Sequence, residues 1–169
     1  MRKAAWALAL TMLCASGCVT NGVTAESRVV HAKNKVLPAL VHIRPVKEVY
    51  TRGTKEEMLV VGSGSIISPD GYVVTNEHVA GESKSVRCVL YDKEEVEADV
   101  VGTDRYTDLA VLRLKTDRKD LPYVRLGTSK TLEAGQTVLA LGSPLGLARS
   151  VSMGIVSVTD RYLGDSDEM

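Results

Sequence analysis

The amino-acid sequence predicts an all-β fold, a sandwich or a barrel, on two observations. Strand-like segments are short and evenly spaced, with no long helices between them. The composition, with 14 glycines, no phenylalanine and many valines, favours strands and turns. The 169 residues carry 21 basic and 21 acidic side chains, which suits one domain with an ordinary core. A net charge of zero also argues against a nucleic-acid-binding surface.

The amino terminus has the pattern of an export signal. Two basic residues precede an apolar run over residues 4–13, which is too short to span a bilayer. Small residues directly before Cys18 resemble a bacterial lipoprotein signal, in which the cysteine is acylated and the chain is cut before it. We therefore expect a signal peptide over residues 1–17 and a lipidated tether over residues 18–27. The protein would then be a periplasm-facing lipoprotein, of the outer rather than the inner membrane; the alternative is an ordinary secretory signal with a chance cysteine.

The mature chain begins with one helical pattern and continues as strands. Residues 26–37 have loose helical spacing, and Pro38 ends that pattern. Residues 47–57 are charged and have no apolar period, so we expect a mobile surface loop there. The strand-like segments are residues 40–46, 58–68, 72–75, 85–91, 96–102, 109–115, 137–142 and 151–158.

Two short segments between these strands have turn chemistry. In Ser68-Pro69-Asp70-Gly71 the proline presets φ and the glycine accepts positive φ, which predicts a hairpin between the flanking strands. Residues 91–94 are expected to reverse the chain between the next two strands. Cys88 lies just before that second turn, on one strand face with two apolar residues, so we expect a buried, unreactive thiol.

Two polar side chains mark strand ends thirty residues apart. His78 follows the strand over residues 72–75, and Asp108 directly precedes the strand over residues 109–115. A carboxylate at such a position needs a hydrogen-bonded or charged partner, because burying it unpaired is costly. An imidazole N–H is one such partner. The spacing alone leaves plainer alternatives open, namely a surface histidine and a turn residue that starts a strand.

Five ordered segments surround these two residues. They are residues 62–67 (Gly-Ser-Gly-Ser-Ile-Ile), 71–79 (Gly-Tyr-Val-Val-Thr-Asn-Glu-His-Val), 107–112 (Thr-Asp-Leu-Ala-Val-Leu), 141–147 (Leu-Gly-Ser-Pro-Leu-Gly-Leu) and 151–157 (Val-Ser-Met-Gly-Ile-Val-Ser). In order and spacing they resemble blocks of the HtrA (Deg) family of trypsin-like serine proteases. The resemblance covers about residues 28–158 and implies two perpendicular Greek-key β-barrels with an active site between them. It also implies a His-Asp-Ser order, in which His78 is the general base and Asp108 its orienting partner.

The segments that resemble the family end before its nucleophile. In the family, a Gly-Asn-Ser-Gly-Gly segment follows the block at residues 154–157, and PDZ domains usually come later; no such segment precedes Met169. Ser166 lies in a Gly-Asp-Ser-Asp context, where Asp167 replaces a glycine and its charge would oppose a developing oxyanion. We therefore expect the nucleophilic serine to be absent from this chain, which would leave the chain inactive by itself.

The resemblance also sets the expected domain organisation and function. We expect an incomplete trypsin-like domain over residues 28–169, with a complete first barrel over about 37–126 and a truncated second barrel over about 132–169. The function it implies is a serine endopeptidase that acts on unfolded or envelope proteins. A non-catalytic trypsin-like binding module and a vestigial fragment are the alternatives. Family members commonly form trimers, which suggests a homotrimer.

No cofactor or metal is expected. The sequence has no Cys-x-x-Cys, no His-Glu-x-x-His and no phosphate-cradling glycine loop. Gly62-Ser63-Gly64 is too short for such a loop and is better explained by small residues that close against a neighbouring strand. His31 and His42 have no clustered partners in the sequence, which argues against a metal role for either.

Overall fold

The computed structural model describes residues 24–51, 54–143 and 150–160. The predicted signal peptide, Cys18 and the segment around Ser166 lie outside these residues. Within them, no helix has both the length and the apolar content needed to cross a membrane. Most of the regular structure is β, which confirms the predicted fold class.

Short helices and antiparallel strands follow one another along the described residues. The helices are α1 (Ala25–Val36) and α2 (Glu77–Ala80), and a 3-10 turn (Leu37–Ala39) joins α1 to the first strand. The strands are β1 (Leu40–Thr51), β2 (Thr54–Leu59), β3 (Gly62–Ile66), β4 (Tyr72–Thr75), β5 (Ser83–Val89), β6 (Glu95–Asp104), β7 (Leu109–Leu114), β8 (Thr137–Gly142) and β9 (Ser150–Ile155).

Six of these strands form a closed barrel. They are hydrogen-bonded in the order β1-β3-β4-β7-β6-β5, and β5 pairs again with β1. All of these pairs are antiparallel. Closure pairs the backbone groups of every wall strand, so the barrel wall presents no open sheet edge. Strand β2 lies outside the wall and pairs with the outer half of β1.

Alternating side chains from the wall strands fill the barrel. In β7, Ala110, Leu112 and Leu114 are buried while the residues between them are more exposed, as a period of two requires. Burying each large apolar side chain contributes roughly 1.5–3 kcal/mol. The largest fully buried side chains come from five different strands and are Ile43, Ile66, Leu112, Val41, Val73, Pro45 and Cys88.

The buried face of β5 confirms the prediction made for Cys88. Cys88 is 0% exposed, and its neighbours on that face, Val86 and Leu90, are also buried. Burial disfavours the charged thiolate and raises the pKa of the Cys88 thiol to about 12. The thiol is therefore protonated at neutral pH and shielded from reagents.

The predicted helix is present and begins one residue earlier than expected. Thr24 is the N-cap of α1, and its Oγ1 accepts a hydrogen bond from the Ser27 N–H at 3.1 Å. Pro38 lies in the first turn of the 3-10 helix that follows. Because proline has no N–H to donate, the α-helical hydrogen-bond pattern cannot continue through it.

Both predicted turns are present. In the first, Gly71 has a φ of 88° and its N–H donates to the Ser68 carbonyl at 3.1 Å, while β3 and β4 pair as a hairpin. In the second, the Lys93 N–H donates to the Leu90 carbonyl at 3.1 Å. Lys93 has a φ of 73°, which is a left-handed conformation. The sequence did not indicate it, because the turn contains no glycine.

The predicted loop over residues 47–57 is wrong. Strand β1 continues to Thr51, and β2 begins at Thr54. The two strands pair in antiparallel fashion, from Thr51 opposite Thr54 to Val46 opposite Leu59. The two strands form a hairpin that extends beyond the barrel wall. The ladder of such a hairpin is made by backbone groups, which need no apolar period, so its charged sequence concealed the strands.

The single strand predicted over residues 58–68 is also wrong, because two strands divide it. Strand β2 ends at Leu59 and β3 begins at Gly62. Between them the Val60 N–H donates to the Pro45 carbonyl at 3.1 Å, at the place where β1 passes from the barrel wall into the hairpin. The continuous apolar pattern across this region hid the change of pairing partner.

Strands β8 and β9 form a separate two-stranded sheet that is linked to the barrel through Ser143. The Ser143 N–H donates to Ser63 Oγ at 2.8 Å, and the Ser143 carbonyl accepts from His42 Nδ1 at 3.1 Å. His42 is only 8% exposed, so this bond lies inside the protein. Both backbone groups of Ser143 are therefore held by barrel residues.

Candidate active site

The site begins where β4 leaves the barrel. Thr75, the last residue of β4, is buried, and its Oγ1 donates to the Ser63 carbonyl at 2.8 Å. The chain then turns into α2, whose Val79 and Ala80 pack into the core. These two buried residues anchor the short helix. The side chain of His78, which precedes them in α2, faces outward and is 68% exposed.

The second part of the site is the turn between β6 and β7. The Asp104 carboxylate holds this turn, because it accepts from the Tyr106 N–H at 3.0 Å and from Thr107 Oγ1 at 2.8 Å. Asp108 ends the turn with a φ of 53°, a left-handed conformation uncommon for a residue other than glycine. Its side chain is 44% exposed and points toward α2.

The structure brings His78 and Asp108 into direct contact. His78 Nδ1 lies 2.7 Å from Asp108 Oδ2, and the backbone N–H of His78 donates to Asp108 Oδ1 at 2.9 Å. A carboxylate oxygen accepts, so the imidazole donates through Nδ1. The lone pair of the neutral ring then lies on Nε2, which is the nitrogen available to take a proton.

The hydrogen bonds around Asp108 favour its charged form. The bond from the His78 backbone N–H is the largest cause that holds the pKa of Asp108 below its usual value. The His78 ring and the Asn76 side chain act in the same direction, since each donates to the carboxylate. Asp108 is therefore ionised at neutral pH and can stabilise a positive charge on the imidazole.

Two further residues contact this pair, and the sequence pattern did not reveal them. Asn76 Nδ2 donates to the carboxylate and to the carbonyl of Asp108, both at 3.1 Å. Lys47 Nζ donates to the His78 carbonyl at 2.7 Å. Asn76 stood in a recognisable segment, two residues before the histidine, whereas Lys47 lay in the stretch predicted to be a loop.

The remaining histidines lie away from this pair. His31 is on α1, and His42 is the buried link to Ser143 described above. Among the residues that the structure describes, no cluster of three or more His, Cys, Asp or Glu side chains has the arrangement of a metal site. Cys18 and Ser166 lie outside the described residues.

Small residues in β3 allow the barrel to close beside the site, as the sequence predicted. A Cβ added to Gly64 would lie 2.7 Å from Ile43 Cδ1, 2.8 Å from Val73 Cγ1 and 2.9 Å from the Val74 carbonyl oxygen. No real side chain tolerates such distances without displacement of a neighbour. The Gly-Ser-Gly segment is therefore explained by close approach of strands.

Curated relatives are similar to this chain over about two thirds of its length. A "Probable periplasmic serine endoprotease DegP-like" of Pseudomonas savastanoi pv. phaseolicola (strain 1448A / Race 6) is 49% identical over 109 residues, which are 64% of this chain and 22% of that protein. A protein with the same description from Marinomonas sp. (strain MWYL1) is 50% identical over 103 residues, 61% of this chain and 22% of that protein. The chain thus spans about 22% of the length of these relatives.

Solved structures of HtrA-type proteases share the fold. The structure described as "HtrA-type protease AlgWS227A with decapeptide" superposes with a TM-score of 0.71 and 32% identity, over 76% of this chain and 44% of that one. The serine endoprotease from Yersinia pestis superposes with a TM-score of 0.63 and 32% identity, over 77% of this chain and 44% of that one.

Fold and site together define a class. A histidine held by a carboxylate at the rim of a β-barrel is the arrangement of trypsin-like peptidases. The family model described as "Trypsin-like peptidase domain" matches residues 62–169, more than half of the chain. The chain belongs to the trypsin-like peptidase domain family, and the relatives and solved structures that it resembles are described as DegP-like or HtrA-type proteases.

Proposed function

We propose that this chain contributes the general base and its orienting carboxylate to a serine endopeptidase of the HtrA type. The observation that supports the proposal most directly is the 2.7 Å contact between His78 Nδ1 and Asp108 Oδ2. That bond leaves Nε2 of an exposed imidazole free to accept a proton. The relatives described as serine endoproteases support the same reaction class.

In the proposed reaction, His78 activates a serine hydroxyl. A serine hydroxyl is too weakly acidic to attack a peptide carbonyl unless a base takes its proton during the attack. His78 Nε2 takes that proton and returns it to the leaving amine, which cleaves the peptide bond. Asp108 fixes the ring and stabilises the imidazolium that forms between the two steps.

The nucleophile is proposed to lie outside this chain. In the family it belongs to a Gly-Asn-Ser-Gly-Gly segment, and Ser166 is a poor substitute because Asp167 follows it. We also propose a trypsin-like domain that begins near residue 28 and a second barrel that begins near residue 132. Only part of that second barrel would belong to this chain, and the nucleophile would belong to the remainder.

The location and partners of the protein are also proposals. The relatives described as periplasmic support export to the periplasm, and unfolded or envelope polypeptides are the proposed substrates. The signal pattern over residues 1–17 supports a lipid anchor on Cys18, with the outer membrane as its proposed site. The proposed homotrimer rests on the resemblance to the HtrA family alone. Palmitate incorporation that is lost in Cys18→Ser and kept in Cys14→Ser tests the anchor.

The catalytic proposal is tested by labelling the full-length protein that contains this chain with a fluorophosphonate probe, which reacts with activated serines. Labelling is expected to fall by at least about a hundredfold in His78→Ala, because the serine loses its base. His31→Ala is the matched control, since it removes the same side chain from α1, and it is expected to label as fully as the unaltered protein. Equal labelling of the His78 variant and the control would contradict the role of His78.

A further inference from the structure

Asn76 occupies a helix N-cap position but does not cap the helix. It precedes α2 with extended dihedral angles (φ −85°, ψ 149°), which is the conformation of an N-cap residue. An asparagine there usually accepts a hydrogen bond from the helix backbone through its side-chain oxygen. The Asn76 side chain makes no such bond. Its Nδ2 instead donates to Asp108, to the carbonyl oxygen and to Oδ2, both at 3.1 Å.

Asp108 supplies the capping groups that Asn76 does not. The Glu77 N–H donates to the Asp108 carbonyl at 3.1 Å, and the His78 N–H donates to Oδ1 at 2.9 Å. These are the first two free N–H groups of α2. Three consecutive residues of the β4–α2 junction therefore hold a single residue of the β6–β7 turn by its carbonyl and by both of its carboxylate oxygens.

The conformation of Asp108 depends on this set of bonds. A left-handed backbone is unfavourable for a residue other than glycine, so the bonds made to Asp108 help to hold it in this conformation. Two of the bonds that hold the Asp108 carbonyl in place come from Asn76 and Glu77. Of these two residues, only Asn76 also donates a hydrogen bond to Oδ2 of the carboxylate through its side chain.

Asn76 and the imidazole donate to the same oxygen. His78 Nδ1 and Asn76 Nδ2 both bond Oδ2, which has two lone pairs and can accept both donors. With two donors fixed at two directions, the carboxylate cannot rotate about its Cβ–Cγ bond without losing one of them. The Oδ2 atom is thus held where the ring nitrogen meets it.

On the basis of the proposed function, we infer that Asn76 is a positioning residue for the reaction, whose carboxamide holds the Asp108 carboxylate so that Oδ2 faces His78 Nδ1. Its proposed effect on the reaction is exerted through Asp108, to which its carboxamide is bonded. The titratable group in contact with Asp108 is the His78 imidazole, and the charged group nearest to that histidine's backbone is the Lys47 ammonium at its carbonyl.

The inference is tested on the intact protein with two variants and one control. Asn76→Ala removes the donor, and Asn76→Asp keeps the shape of the side chain but replaces the donor with an acceptor. Val79→Ala is the control, because Val79 packs in the core from the same helical turn and contacts neither carboxylate oxygen in the bonds described. Melting temperature is measured for all three variants to show that they fold.

The decisive readout is the titration of the Asp108 carboxyl carbon by NMR, assigned by its loss in Asp108→Asn. A lost donor destabilises the carboxylate, so the titration midpoint is expected to rise by about 0.5 to 1 pH unit in Asn76→Ala. The rise is expected to be larger in Asn76→Asp, where a second negative charge faces the first. Val79→Ala is expected to lower the melting temperature without moving the midpoint.

Activity gives a second readout. In the Asn76 variants, kcat is expected to fall about five- to tenfold with KM unchanged, because the base is misaligned while substrate contacts are intact. An unmoved Asp108 midpoint in both Asn76 variants, or an equal movement in Val79→Ala, would overturn the inference. The NMR readout needs no proteolysis, so an unaltered protein that titrates as expected but never labels with a fluorophosphonate would contradict the proposed function alone.

Discussion

The Asp108 carbonyl and carboxylate together accept five hydrogen bonds, from the Asn76 side chain, the Glu77 N–H and two groups of His78. Together these bonds act against the cost of the left-handed backbone at Asp108. Backbone strain at this residue is therefore maintained by the same contacts that orient the histidine. The family resemblance implied that Asp108 and His78 act together, but nothing in the sequence indicated this backbone conformation.

At the residue scale, Cys88 gives a pH-dependent prediction. Its pKa is raised from 9.0 to about 12 by burial, so its contribution to stability is fully present below pH 9 and is lost as the pH rises toward 12. Above pH 9 the unfolded chain gains a thiolate that the folded protein cannot form. The free energy of unfolding is expected to fall by about 1.4 kcal/mol per pH unit in that range from this group alone.

The measurement is urea unfolding between pH 8 and pH 11, on the unaltered protein and on Cys88→Ala. Tyrosine and lysine side chains titrate in both proteins, so the difference between the two stabilities isolates the thiol. That difference is expected to shrink as the pH rises. A difference that stays constant up to pH 11 would show that Cys88 is not shielded in the folded protein.

Only the site residues that lie next to the end of a predicted strand could be picked out from the sequence. His78 and Asp108 each stand directly beside a strongly apolar strand, so their positions were readable. Lys47 donates to the His78 carbonyl from β1. The residues that follow Lys47 are charged and have no apolar period, so the sequence did not show that they belong to a strand. A bond between a side chain and a distant carbonyl leaves no periodic signal in a sequence.

At the scale of the elements, the close approach of β3 to its neighbours gives a second prediction. Gly64→Ala is expected to destabilise the protein by about 1–3 kcal/mol, because the added Cβ meets Ile43, Val73 and the backbone oxygen of Val74. Gly154→Ala in β9 is the matched control, since among the described residues no atom other than those of its chain neighbours lies within 4 Å of its added Cβ. Its stability is expected to change by less than about 0.5 kcal/mol.

Thermal and urea unfolding of the two glycine variants measures the difference. Equal stability of Gly64→Ala and Gly154→Ala would mean that β3 can move outward without loss, which a closed barrel should not allow. Labelling by the fluorophosphonate probe provides an independent check, because β3 also carries the Ser63 carbonyl that holds Thr75 at the start of the site.

Elements with one buried face could be predicted, and the hairpin beyond the wall could not. Strands β4 and β8 have the bounds that their apolar runs indicated, although only β4 contains buried residues. The β1–β2 hairpin was missed because its ladder is independent of side-chain polarity. The division between β2 and β3 was missed because an apolar run does not show where a pairing partner changes.

At the scale of the whole molecule, Ser143 links the two sheets. Its N–H donates to Ser63 Oγ and its carbonyl accepts from the buried His42. Ser63→Ala leaves that N–H without its partner in a buried position, which is expected to cost about 1–2 kcal/mol. Ser65→Ala is the control, because Ser65 lies two residues further along the same strand.

Hydrogen exchange at the Ser143 amide measures this effect directly. Exchange is expected to be about tenfold faster in Ser63→Ala, while the amides of β4 and β7 keep their protection. Ser65→Ala is expected to leave the Ser143 amide unchanged. If exchange at Ser143 is the same in both variants, the barrel does not hold the second sheet through this bond.

The double use of β1 determines which parts of the molecule tolerate changes in length. Its first half pairs with β3 and β5 in the barrel wall, and its second half pairs with β2 alone once the pairing with β5 ends at Lys47. Foreign sequence spliced between Thr51 and Thr54 would therefore lengthen the projecting arm while every wall pair keeps its register. An epitope or a fluorescent reporter inserted between these two strands is consequently expected to leave the barrel intact.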